Sequence, residues 1–152
     1  MKLLTIVLLL VCSVPAFAGL GSNKSMYVGG TTASIPDKAE GILDARDAKT
    51  LTFNWNNNGH WTIPYDKVSS LSYGQHAGRR VGMAILISPV TLLSKKRRHY
   101  LTVEYVDATG ANQAAIFEVG KDAIRTTLTV LEVRTGKKVE YQDEEARKAG
   151  SK

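Results

Sequence analysis

Cysteine is almost absent from this sequence, because the 152 residues include only Cys12. Lys2 precedes an apolar run over residues 3–11, and residues 16–18 form the small-residue pattern Ala-Phe-Ala. This arrangement predicts a secretory signal peptide over residues 1–18. Once the signal is removed, the chain has no cysteine, which excludes disulfides and thiol catalysis.

Cys12 behind an apolar run has a second interpretation, a lipoprotein signal in which a modified cysteine becomes the N-terminus. That signal requires a small residue before the cysteine, whereas Val11 stands there. Cleavage after Ala18 is therefore favoured. The apolar run is also shorter than the roughly 20 residues that span a bilayer. The protein is expected to be secreted, with the periplasm as its location.

Acidic residues are missing between Asp66 and Glu104, and this gap unbalances the charge. The whole chain has 20 lysines and arginines against 14 acids. Without Lys2 and the seven basic residues in the gap, the balance is 12 against 14. The positive excess is therefore confined to this gap. A local basic patch gives information about binding partners rather than about the fold. The seven are Lys67, Arg79, Arg80, Lys95, Lys96, Arg97 and Arg98.

Catalytic and metal-binding motifs are also missing. No two histidines have metal-ligand spacing, and there is no HExxH, nucleophile elbow or phosphate loop. The sequence therefore predicts a protein that is not an enzyme and has no cofactor and no metal. An uncharacterised hydrolase stays the alternative, in which a site assembles in space. Its candidate residues are His60, His76, His99, Asp66, Glu104 and Asp107.

Residues 19–38 are rich in Gly, Ser and Thr and predict a flexible tether, with Met26 to Val28 lying against the domain that follows. From Ala39 onward the pattern predicts strands. In residues 50–55 apolar and polar side chains alternate, and residues 56–59, Asn-Asn-Asn-Gly, indicate a turn.

The strand after this turn continues the alternation with Trp61, Ile63 and Tyr65. At this spacing Trp55 and Trp61 are expected to be cross-strand core residues rather than an aromatic platform for a sugar or peptide.

The C-terminal half predicts two more strands and a helix. Leu101, Val103 and Tyr105 form the expected core face of the first strand, and residues 107–110, Asp-Ala-Thr-Gly, indicate a hairpin turn. A helical stripe then ends near Gly136. Residues 142–152 are charged and predict a solvated helix or tail. The stripe consists of Ile124, Leu128, Leu131 and Thr135.

The fold class expected is mainly β, a bent antiparallel sheet or partly open barrel capped by one C-terminal helix. The phrases GILDARDAKTLTF, WTIPYDKVSSLSYG, KRRHYLTVEYVDATG and IFEVGKDAIRTTLTVLEVRTGKKV carry the pattern. Over residues 39–141 the chain resembles the pleckstrin-homology-like (PH-like) superfold, in its GRAM-like and bacterial PH-like branch. The resemblance implies a binding platform for lipids, peptides or proteins, and the fold alone does not choose among them. The charges of residues 44–49 nearly cancel, so phosphoinositide recognition is not expected.

Residues 79–98 are predicted to be an apolar insertion in which thirteen uncharged residues, 81–93, lie between basic clusters. Three interpretations are open. The segment is buried core with solvated ends, or it dips into an anionic membrane surface, or it docks an envelope protein. The predicted lipid- or partner-binding residues are Arg79, Arg80, Ile85, Leu86, Ile87, Leu92, Leu93, Lys95, Lys96, Arg97 and Arg98.

Nucleic acid is not an expected partner. The Lys-Lys-Arg-Arg run at residues 95–98 resembles a phosphate-binding patch. However, an exported protein rarely meets nucleic acid, and an apolar segment is a poor neighbour for a phosphate track. The preferred function is an exported, non-enzymatic binding module that makes peripheral contact with an anionic membrane surface.

Overall fold

A computed structural model describes residues 24–56, 58–75 and 98–151. The predicted signal peptide, residues 19–23 of the predicted tether, and His76 lie outside the described residues. So do residues 79–97, which include the apolar stretch 81–93.

The described residues form a mainly β fold, as expected, built on one eight-stranded mixed sheet that is not closed. Its strand order is β4-β3-β2-β1-β7-β6-β5-β8. All pairings are antiparallel except that of β8 with β5. The strands are β1 Lys24–Gly30, β2 Glu40–Asp44, β3 Thr50–Trp55, β4 Gly59–Pro64, β5 Val68–Gly74, β6 His99–Val106, β7 Asn112–Val119 and β8 Val139–Tyr141.

Two α-helices follow β7, and a 3-10 turn, Tyr65–Lys67, lies between β4 and β5. The first helix, α1, spans Lys121–Thr135 and buries Ile124, Leu128 and Leu131. It ends at Gly136, whose φ of 68° is left-handed and costs glycine little. The predicted helical stripe and its end are therefore confirmed. The second helix, α2, spans Glu144–Gly150.

The inner faces of the sheet's two halves pack against each other, which shows that the sheet bends over its own core. Phe117 of β7 lies 4.9 Å, centroid to centroid, from the ring of Phe53 on β3 and 5.7 Å from Trp61 on β4. Helix α1 packs its buried stripe into the same core. Leu101 and Val103 also lie in this core, as the alternation predicted.

The turn between β3 and β4 favours asparagine at one position and requires glycine at the next. Asn58 has a φ of 73°, a conformation that asparagine tolerates better than most residues. A Cβ on Gly59 would lie 2.2 Å from the indole of Trp55, so this ring requires glycine below it. The predicted turn is confirmed by the pairing of Trp55 with Gly59.

The prediction of a flexible tether over residues 19–38 is wrong for residues 24–30, although its expectation that Met26 to Val28 lie against the domain is confirmed. Residues 24–30 form β1, which lies between β2 and β7 in the sheet. Tyr27 and Val28 are each only 2 % exposed. The physical reason is pairing with β7, a strand distant in sequence, which local composition does not reveal.

The C-terminal residues also pack against the core more closely than a solvated tail would. Asp143 caps α2, because its carboxylate accepts a hydrogen bond of 2.7 Å from the backbone N–H of Ala146. Ala146 is fully buried, in contact with the main core. No helix in the described ranges is long and apolar enough to cross a membrane.

Candidate functional site at the base of the insertion

The described residues fix where the predicted insertion leaves and re-enters the sheet. Gly74 at the end of β5 pairs with Tyr100 of β6. The backbone N–H of Arg98 donates a 3.4 Å hydrogen bond to the carbonyl of Gln75. Residues 76–97 therefore connect two points that lie side by side on neighbouring antiparallel strands. We call Gln75, Arg98 and the residues around them the insertion base.

Arg98 is the one predicted binding residue within the described ranges. Its Nη1 donates to both carboxylate oxygens of Glu118 on β7, at 2.7 Å each. The Glu118 carboxylate stabilises the charged guanidinium and raises the pKa of Arg98. This arginine is therefore anchored to the sheet, unlike a side chain that is free to follow a ligand.

A groove of about 510 Å³ runs beside this ion pair. It crosses β1 and β2, and Met26 and Ile42 give it apolar walls. Ile42 is 49 % exposed, which is unusual for a large aliphatic side chain in a sheet. The groove thus combines an exposed apolar surface with the Arg98–Glu118 pair at its edge.

More basic residues of other elements lie at the insertion base. The carbonyl of Lys24 accepts a hydrogen bond from the backbone N–H of Gly120, at 3.2 Å, which brings the start of β1 to the start of α1. Lys121 and Arg125 are exposed on the first turns of α1. A pocket beside Gln75 includes both of them. The basic character of this end thus extends beyond the run at residues 95–98.

A second apolar cluster lies outside the main core. Val28, Tyr100 and Ile116 form it, with Met26 packed against them. Their strands present Tyr27, Leu101 and Phe117 to the main core, so this cluster lies on the opposite face of the sheet. Its three members are only 2–3 % exposed. Burial raises the pKa of the Tyr100 hydroxyl.

His60 is accounted for by the sheet. It pairs with Asn54 across β3 and β4, as a hairpin residue should. Its Nδ1 lies 2.7 Å from the Asn54 side-chain oxygen and its Nε2 lies 2.5 Å from the Thr62 hydroxyl. Both ring nitrogens therefore have partners within the hairpin.

His99 occupies a different environment, at the insertion base. Its Nδ1 lies 2.5 Å from the hydroxyl of Tyr73, and the two rings stack with centroids 5.9 Å apart. Burial lowers the pKa of His99, and the positive charges of Lys121 and Arg125 lower it further. Burial raises the pKa of Tyr73 to about 12, so its hydroxyl stays protonated at neutral pH.

Among the candidate acids, Asp107 has a structural role. Asp107 holds the β6–β7 turn, accepting hydrogen bonds from the backbone N–H groups of Thr109 and Ala111 at 2.8 and 3.0 Å. Hydrogen bonds from the Thr109 and Gln113 side chains lower the pKa of Asp107 to about 2. Within residues 24–56, 58–75 and 98–151, no three His, Asp or Glu side chains are grouped to hold a metal.

The two tryptophans differ in exposure. Trp61 is 7 % exposed and makes edge contacts with the ring of Tyr105, at 5.6 Å. Trp55 is half-buried and stacks on Phe53 at 5.6 Å. Both rings contact the core, as strand spacing predicted.

The other ten predicted binding residues, Arg79 to Arg97, lie outside the described residues. Sequence reasoning missed Glu118, Gln75, Lys121 and Arg125. One signal was available, since Lys121 and Arg125 are four residues apart at the start of the predicted helix and so share a face. No protein-family model matches this chain, and no curated protein matches it.

Proposed function

We propose that this protein is an exported, non-enzymatic binding module that contacts anionic membrane surfaces through residues 79–98. One observation carries the proposal. The Gln75–Arg98 hydrogen bond joins the two described residues that flank residues 76–97. We infer that the surface next to the insertion base takes part in binding together with the segment.

The charge around that point suits an anionic surface. Lys24 begins β1, Arg98 precedes β6, and Lys121 and Arg125 lie on α1, so three elements contribute basic residues near a segment with its own basic flanks. Each lysine or arginine near an anionic leaflet adds about 1 kcal/mol, and buried apolar side chains add the rest. Glu118 offsets Arg98, and Glu40 and Asp122 line the same two pockets, so four cations face three carboxylates and the basic flanks of the segment supply most of the proposed attraction.

The fold supports a binding role without specifying the ligand. A bent sheet closed by a C-terminal helix is what the PH-like resemblance implies, and strands β1 to β7 followed by α1 agree with it. The predicted signal peptide supports a periplasmic location, where the protein meets membrane surfaces and envelope proteins.

Co-sedimentation with vesicles tests the proposal. The chain from Gly19 is mixed with anionic and neutral vesicles at low and high salt, beside a variant in which residues 81–93 are replaced by a short polar loop. We expect wild type to bind anionic vesicles in a salt-sensitive way and the folded variant to lose binding. Equal binding by the two proteins would contradict a role for the segment.

A charge variant separates the basic flank from general surface charge. Lys95→Gln, Lys96→Gln and Arg97→Gln together leave the Arg98–Glu118 pair intact, and we expect them to weaken vesicle binding strongly. The control, Lys137→Gln with Lys138→Gln, removes two exposed charges beyond the far end of α1. Equal losses from both variants would show that net charge alone drives binding.

The alternative function is a protein-interaction module of the envelope in which residues 81–93 are core. The burial of Val28, Tyr100 and Ile116 on the outer face favours it, because a buried face needs a cover. In that case the polar-loop variant loses stability, and neither protein binds vesicles. Circular dichroism of the variant, run beside the sedimentation, separates the two functions.

A further inference from the structure

A second recognition element lies beside the insertion base, in a pocket of about 540 Å³. Its described lining comes from the end of β5, the start of β6, the first turns of α1 and the end of α2. The residues are Gln75, His99, Lys121, Asp122, Arg125 and Ala149. None of them is among the predicted lipid- or partner-binding residues, and only His99 was a candidate for the alternative hydrolase site. The pocket adjoins the end of the sheet that we propose faces a membrane.

The cationic groups of this pocket converge from one helical face. Lys121 and Arg125 are four residues apart on α1, so their side chains are neighbours. The Nε of Arg125 donates to the carbonyl of Ala149, at 2.9 Å, which holds the guanidinium over the pocket. This bond uses one donor and leaves the Nη groups to bind a planar or tetrahedral anion.

The His99 ring lines the same space. Its Nδ1 lies 2.5 Å from the Tyr73 hydroxyl and is occupied by that bond, whichever group donates. Nε2 is therefore the ring nitrogen left for a ligand, and it donates whenever it carries a proton. The ring is held by its stacking on Tyr73, so the donor is positioned before any ligand arrives.

The charge balance favours an anion, because the described lining has a net charge of +1 when His99 is neutral and +2 when His99 is protonated. Lys121 and Arg125 are opposed in the pocket lining by one carboxylate, Asp122. Glu118 also acts on His99, but its carboxylate is bound by Arg98. The pKa of His99 is lowered by burial and by Lys121 and Arg125, and a bound anion opposes that shift and favours the positively charged imidazole.

We propose that this pocket binds a phosphate monoester group through Lys121, Arg125, His99 and the Gln75 amide. A monoester dianion matches the net charge of the lining once His99 is protonated, and it accepts several hydrogen bonds on three oxygens. The group can belong to a lipid headgroup or to a soluble phosphate. The lipid source rests on the proposed membrane contact, whereas binding of soluble phosphate does not.

The linkage between the anion and His99 gives a direct signal. The positive charges of Lys121 and Arg125 hold the pKa of His99 down, together with burial. A bound dianion places negative charge beside His99, so phosphate should raise the pKa of His99. The proton resonances of the ring, followed by NMR across pH 5 to 8, report this change.

The test titrates the chain from Gly19 with inorganic phosphate at constant ionic strength, using chloride as the matched anion. We expect a phosphate-specific rise in the His99 pKa, and roughly tenfold weaker binding for Lys121→Gln. Lys138→Gln, an exposed lysine outside the pocket, is the control. An unchanged His99 titration in phosphate, or equal affinity of Lys121→Gln and wild type, would overturn the pocket.

A vesicle arm separates the two sources. Phosphatidic acid presents a monoester and phosphatidylglycerol a diester, so vesicles are compared at equal surface charge. Preference for phosphatidic acid that Lys121→Gln removes supports a lipid headgroup. Phosphate binding without that preference supports a soluble ligand. Vesicle binding without a phosphate response or a phosphatidic acid preference overturns the inference while leaving the proposed function intact.

Discussion

Arg98 and Glu118 form an ion pair that joins the last residue of the predicted insertion to β7, with Nη1 of the arginine 2.7 Å from both carboxylate oxygens. The arginine side chain is 39 % exposed and the glutamate 22 %. Arg98 immediately precedes β6, so the pair holds the returning chain against the sheet. It also separates Arg98 in role from the neighbouring residues 95–97.

A double-mutant cycle of Arg98→Gln and Glu118→Gln measures this pair. Because both groups are partly solvated and water screens them, we expect a coupling of about 1 kcal/mol or less, falling as salt rises. Urea unfolding at low and high salt gives the values. A coupling several times larger, or one indifferent to salt, would mean that the pair is buried more deeply than its exposure indicates.

Tyr27 tests whether residues 24–30 are structural. Its ring is 2 % exposed and packs edge-on against Phe117, with centroids 5.8 Å apart. Tyr27→Ala should lower the free energy of unfolding by about 3 kcal/mol or more. Val133→Ala on α1, where the side chain is 79 % exposed, should change it by less than about 0.5 kcal/mol. Similar small effects of both changes would restore the interpretation of a tether.

His99 gives the stability a pH dependence of known sign. The folded state holds the pKa of His99 below its ordinary value of 6.5, chiefly by burial and also by Lys121 and Arg125. The unfolded chain therefore takes up the proton first, and stability should fall as the pH drops below about 6.5. The loss continues until the pH reaches the folded-state pKa.

Urea unfolding at pH 7.5 and 5.5 in phosphate-free buffer checks this dependence. His99→Gln should reduce the stability lost between the two pH values, whereas His60→Gln, on the distant β3–β4 hairpin, should retain it. If both variants lost as much stability as wild type between the two pH values, the titration of His99 would not be the source of the pH dependence.

The sequence predicted the elements whose signals are local. Ile124, Leu128 and Leu131 recur at helical spacing and Gly136 follows them, so the sequence alone predicts α1. The alternation around Leu101 and Val103 likewise identified a core face. Those signals arise within one element and need no partner.

The elements that were missed depend on distant partners. Strand β1 includes Gly29 and Gly30, which composition assigns to a loop, and its pairing with β7 makes it a strand. The three residues of β8 acquire strand geometry only beside β5. At the site, the Glu118 partner of Arg98 and the grouping of His99 with Lys121 arise from strand register and helix docking, which local patterns do not encode.

A single labelled cysteine tests the central claim most directly, because the chain from Gly19 has no cysteine of its own. Leu86→Cys carries an environment-sensitive fluorophore, and Val133→Cys on the exposed face of α1 is the control. The account predicts that anionic vesicles shift the emission at residue 86 to the blue and leave residue 133 unchanged. Sedimentation with the vesicles without any shift at residue 86 would contradict membrane contact through the insertion.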